Sequence, residues 1–102
     1  MLKGTQYYPG AQAYQVIGHS MTGLIEHGDI VLVNPYDAYN QTRPCIFETP
    51  NGYVVKLRGV DRGKPALLSL NDNIPPVTAR AEYIPRGCVY AVYLRPFQIR
   101  RI

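Results

Sequence analysis

The dipeptide Asn51-Gly52, preceded by Pro50, separates two apolar runs, residues 44–49 and 53–59. Asn-Gly at such a break is a strong local signal for a β-hairpin, because both residues tolerate the left-handed backbone that a tight turn demands. A hairpin here also fixes the strand period. Tyr53, Val55 and Leu57 then share one face, and Val54, Lys56 and Arg58 share the other. Asp61-Arg62-Gly63-Lys64-Pro65 is a second tight connection, with residues 66–70 as the returning strand and 71–76 as a loop stiffened by two prolines. Residues 29–34 read as a strand whose centre, Ile30 to Val33, is continuously apolar, which predicts burial on both faces. Further strands are expected over 13–18, 79–84 and 87–94. Residues 20–26 leave room for only a turn or two of helix. The predicted fold class is mostly β: a small, barrel-like antiparallel domain with one short helix.

A length of 102 residues suits a single domain over 1–102, large enough for one modest core. Residues 1–12 mix Gly, Gln, Tyr and Pro with no sustained period and are expected to form an extended arm. Hydrophobic residues at 46% against 18% charged exclude a disordered chain, which combines low hydrophobicity with dense charge.

The formal charge of +4 is dispersed, with small groups at Lys56-Arg58-Arg62-Lys64 and Arg95-Arg100-Arg101. Neither resembles a basic nucleic-acid-binding arm, so solvated faces are expected and no direct nucleic-acid contact. Cys45 and Cys88 lie in apolar surroundings without a CxxC or a histidine at ligand spacing, which predicts no metal site and, as the default, two buried thiols, with a disulfide between them as the alternative the sequence leaves open. No apolar run approaches 18 residues and no secretory signal opens the chain, so no membrane span is expected and the cytoplasm is the expected compartment.

Two residues carry candidate chemistry. Ser20 follows a short apolar run in Val16-Ile17-Gly18-His19-Ser20-Met21, and Lys56 sits among valines on the second hairpin strand. A lysine can replace histidine as general base only when its ammonium is desolvated, since burial disfavours the charged form. Taken singly, each residue has a simpler role: a serine in a glycine-rich turn caps backbone groups, and a strand lysine carries its ammonium out to water. His19 adjoins the candidate nucleophile but has no obvious orienting carboxylate, and adjacent residues at a turn point apart, so no Ser/His pair is expected. His27 precedes a Gly-Asp turn and is expected at the surface.

Taken in order, Gly18-His19-Ser20-Met21, Gly28-Asp29-Ile30-Val31-Leu32-Val33, Val54-Val55-Lys56-Leu57, Leu67-Leu68-Ser69-Leu70-Asn71 before Pro75-Pro76, and Gly87-Cys88-Val89-Tyr90-Ala91-Val92 with Arg95 resemble a known family. It comprises the C-terminal domains of LexA-type and phage repressors and the mutagenesis protein UmuD, which cleave themselves with a Ser/Lys dyad. The signal peptidases are a membrane-anchored related group. The resemblance implies Ser20 as nucleophile, neutral Lys56 as general base, Met21 shaping the site, and the Ser20 backbone N–H stabilising the oxyanion. It further implies a homodimer, a peptide substrate in cis or in trans, a RecA-type activator in the SOS response to DNA damage, and no cofactor.

The sequence contains neither Ala-Gly nor Cys-Gly, the dipeptides cut in that family. A second expectation therefore stands beside the first: a non-catalytic dimerisation or partner-binding module of the same fold, with residues 89–94 as its pairing edge.

Overall fold

The computed structural model describes residues 10–37, 42–96 and 98–102. Its elements are β1 (Gln12–Gln15), β2 (Ile30–Asn34), β3 (Cys45–Thr49), β4 (Gly52–Asp61), β5 (Lys64–Leu68), β6 (Val77–Thr78), β7 (Ile84–Arg95) and β8 (Gln98–Arg101). All pairings are antiparallel, in the order β1-β2-β7-β3-β4-β5-β6, with β8 added to β7. The mostly β expectation is met.

The two long strands divide their partners along their length, and this bends the sheet around its core. β4 pairs β3 through residues 52–56 and β5 through residues 57–61. β7 pairs β3 over its first residues, β2 over its middle and β8 over its end. Register shifts at Leu32/Val33, Ile46/Phe47 and Tyr93/Arg95 supply the local bends, as an extra residue in one strand kinks and twists a ladder.

The hairpin at Asn51-Gly52 forms as the turn chemistry predicts, with Thr49 opposite Gly52. The alternation along β4 also holds. Val55 and Leu57 pack with Val16, Met21, Ile46 and Val89, whereas Val54 packs with Phe47 and Leu67, and the Arg58 guanidinium lies 4.9 Å from the Phe47 ring centroid. In β2, Val31, Leu32 and Val33 are all fully buried and divide between two clusters, so that strand is covered on both faces.

Four expectations are corrected. The short helix is a turn: Ile25 N–H donates to the Met21 carbonyl at 2.9 Å, and no further helical turn follows. Gly23 interrupts it at φ +101°, its N–H bonds the Glu26 carboxylate at 2.8 Å, and Glu26 N–H bonds Asp29 at 2.8 Å. Burial of Met21 and Ile25, roughly 1.5–3 kcal/mol each, anchors the segment without a helix.

The strand expected over 79–84 is replaced by the two-residue β6 and a turn closed from Tyr83 N–H to the Arg80 carbonyl. Residues 89–94 are not a free edge, because β2 occupies one side of β7 while β3 and β8 occupy the other. The cysteines are buried as expected but are not thiols: Cys45 and Cys88 stand opposite each other across β3 and β7 and form a disulfide. Most of the expected arm lies outside the described residues, and Gln12 already belongs to β1.

Candidate functional site

Beyond β1 the chain leaves the sheet at Val16 and turns at Gly18, whose φ of +102° suits a residue without a Cβ. Val16 N–H donates to the Asp29 carbonyl at 2.8 Å and Gly28 N–H to the Val16 carbonyl at 2.7 Å, so the segment 16–29 closes on itself. The Gly18 N–H donates to His27 Nδ1 at 2.9 Å, and the two imidazoles lie 5.4 Å apart. His27 is exposed, as expected, yet it holds the turn that carries Ser20. This was invisible in sequence because the bond spans nine residues of irregular chain.

Ser20 and Lys56 line the same cleft, of about 340 Å³. One wall comes from β1 and the segment after it, with Tyr14, Ile17 and His19, the other from residues 53–56 of β4. Ile74 lines the cleft as well. Met21 is 1% exposed and packs in the core with Val16, Ile46 and Val55, three residues that themselves line the cleft; it supports the site from beneath.

The Ser20 hydroxyl donates a long hydrogen bond, 3.5 Å, to the carbonyl of Val55, the residue before Lys56. The Lys56 amine donates at 2.8 Å to the hydroxyl of Ser69. Among the described residues, therefore, the two side chains share a cleft without bonding each other. Burial pushes the Lys56 pKa below its ordinary value of 10.5, the direction a general-base lysine requires. The Ser20 backbone N–H makes no backbone hydrogen bond among the described residues.

Sequence reading missed Ser69 and Asn71 as site residues. Asn71 N–H donates to the Ser20 carbonyl at 3.0 Å, and its side-chain amide donates to the His19 carbonyl at 3.0 Å. Both residues lie within a motif used to establish the resemblance, but nothing local signals contacts to residues 13 and 52 positions away. No group of three or more metal-ligating side chains occurs among the described residues.

Fold and cleft together define a class: small antiparallel β domains with a serine on a turn and a partly buried lysine on a neighbouring strand. A family model described as Peptidase S24-like matches residues 6–86, and the chain belongs to that family, which includes the LexA, UmuD and phage-repressor peptidase domains and consists broadly of serine peptidases. A comparison with curated proteins gave no match. No helix among the described residues is long and apolar enough to cross a membrane.

Proposed function

We propose that this chain is the autopeptidase and dimerisation domain of a LexA-like or phage-type transcriptional repressor, or a stand-alone UmuD-like relative, with Ser20 as nucleophile and Lys56 as general base. The observation that carries this reading is the shared cleft: a serine on a turn and a lysine whose burial favours its neutral form line one groove.

Peptide binding follows from the strand edges. Among the described residues β1 pairs β2 alone and residues 53–56 of β4 pair β3 alone, with the Val55 carbonyl meeting the Ser20 hydroxyl at 3.5 Å, which leaves a strand edge on each side of the cleft for an extended segment. In the reaction, neutral Lys56 removes the Ser20 hydroxyl proton as Oγ bonds the scissile carbonyl carbon. The negative charge that develops on the carbonyl oxygen is met by the Ser20 N–H, a type of contact worth about 10²-fold or more in rate. Collapse breaks the C–N bond, and the Lys56 ammonium returns its proton to the leaving amine. Water then releases the acyl group by the same route, with Lys56 again as base.

The substrate is a peptide segment in cis or in trans, and a homodimer, a RecA-type activator and a cytoplasmic setting belong to the same proposal. A non-catalytic binding module is the second reading. It is favoured by the hydrogen bonds of Ser20 and Lys56, which run to Val55 and Ser69 rather than to each other.

The test is incubation with a peptide library at alkaline pH, read by mass spectrometry. Cleavage lost in both Ser20→Ala and Lys56→Ala supports the peptidase; cleavage unchanged in both refutes the dyad.

A further inference from the structure

We infer that Ser69 and Asn71 are positioning residues for Lys56 and Ser20, a brace that sets the separation of the two groups. The inference rests on the dyad reading above and deepens it by naming what holds the dyad in register.

β5 ends at Leu68, opposite Leu57, so Ser69 is the first residue beyond the ladder and lies beside Lys56 on the neighbouring strand. Its hydroxyl accepts from the amine at 2.8 Å. Two residues on, Asn71 donates from its backbone to the Ser20 carbonyl and from its side chain to the His19 carbonyl, each at 3.0 Å. Asn71 is itself held. Its side-chain oxygen accepts from Asn73 N–H at 3.0 Å and its carbonyl from Ile74 N–H at 3.0 Å. Two residues separated by one position, Ser69 and Asn71, thus bond both sides of the cleft.

The chemistry explains why such a brace matters. A neutral amine has two N–H groups and one lone pair. With one N–H committed to Ser69, rotation about the last side-chain bond is restricted and the lone pair can be directed at the Ser20 hydroxyl. Without that anchor the amine samples other rotamers, and loss of reactive geometry costs about 10- to 100-fold in rate. The same hydrogen bond favours the ammonium, so its removal moves the Lys56 titration to lower pH. A merely structural residue would not produce that shift.

The experiment follows phosphonylation of Ser20 by a fluorophosphonate ester, in which Oγ displaces fluoride from phosphorus and Lys56 takes the proton, across a pH series by intact mass. The Lys56 amine is titrated in parallel by NMR. Ser69→Ala is expected to slow labelling by about 10- to 100-fold and to lower the Lys56 midpoint, with Ser69→Thr restoring both. Asn71→Asp keeps the acceptor for Asn73 but loses the donor to His19; it is expected to slow labelling by about tenfold, while its added carboxylate raises the Lys56 midpoint, opposite in sign to Ser69→Ala. Circular dichroism confirms folding of each variant.

Wild-type labelling rates and midpoints in Ser69→Ala and Asn71→Asp, alongside abolished labelling in Ser20→Ala and Lys56→Ala, would overturn the brace and leave the dyad standing. If Lys56→Ala still labels at the wild-type rate, the dyad reading fails and the NMR midpoint decides the Ser69 contact. A lower midpoint in Ser69→Ala upholds that contact, and an unchanged one overturns it.

Discussion

Cys45 stands directly opposite Lys56 across the β3–β4 ladder, while its sulfur is bonded to Cys88 on β7. Opposite residues in an antiparallel pair project to the same side, so the disulfide lies on the face of the sheet from which the candidate base projects. The disulfide ties β7 to β3, and the β3–β4 ladder holds Lys56 alongside it.

Reduction should cost stability more than it changes the site. The bond closes a loop with a sequence separation of 43, and for a loop of that length the chain-entropy argument gives about 4 kcal/mol as an upper figure, with 2–4 kcal/mol typical. Urea unfolding with and without reductant is expected to differ by that amount, and the paired Cys45→Ala/Cys88→Ala variant should match the reduced protein. Equal midpoints with and without reductant would mean that the thiols are not joined in solution.

How much of this was legible in the sequence depends on the range over which each signal acts. The Asn51-Gly52 hairpin and the face of Lys56 were readable because turn chemistry and a period of two are local. Coverage of β2 on both faces was readable because Val31, Leu32 and Val33 leave no polar side. The helix expectation failed at Gly23, where side-chain bonds from Glu26 and Asp29 satisfy backbone groups that a helix would have used. The disulfide and the Ser69 and Asn71 contacts depend on registers between distant strands, including a shift at Ile46/Phe47 that no local pattern encodes. Ser20 and Lys56 were found in sequence, and they line one cleft; the groups they bond were not.

The pH dependence follows from Lys56. Its pKa lies below 10.5 because burial penalises the ammonium, and only the neutral amine can accept the Ser20 proton. Peptide cleavage should therefore increase with pH, with the rising limb centred below the ordinary lysine value, as measured by kcat/KM across a pH series. For stability the unfolded chain binds this proton more tightly than the folded one, so stability rises as pH climbs from the depressed value toward 10.5. Lys56→Met removes that term. The variant is expected to be more stable than the wild type at neutral pH, with the gap closing above pH ~10.5, the ordinary lysine pKa.

Gly87 tests the packing of β2 and β3 around β7. Its φ is +138°, and a Cβ there would come within 2.5 Å of the Asn34 carbonyl oxygen and 2.7 Å of Val33 Cγ1. Backbone cannot give way as a flexible side chain can, and strain of this kind costs about 1–3 kcal/mol before any loss of packing. Gly87→Ala is expected to lower the urea midpoint by at least that equivalent. Gly63→Ala, at φ +79° in a turn with open space around it, serves as the comparison and should cost less. Similar losses in the two variants would place the cost in the backbone angle alone and not in the contact with β2.

Tyr53 and Tyr14, one from each wall of the cleft, form an aromatic pair with ring centroids 5.3 Å apart and planes tilted by 58°. Tyr53 is 57% exposed, so its ring contributes little to the core and is free to pack against a bound segment. Each open strand edge supplies backbone hydrogen bonds that ignore sequence, whereas an aromatic wall selects apolar side chains. Tyr53→Ala is expected to weaken peptide binding by about 1–1.5 kcal/mol, roughly a five- to tenfold rise in KM, with kcat nearly unchanged. Tyr53→Phe retains the ring and should behave as the wild type. Initial rates on peptides with an apolar or a charged side chain at successive positions identify the one that meets this wall. A kcat loss at constant KM in Tyr53→Ala would assign the ring to the reacting geometry instead of to recognition.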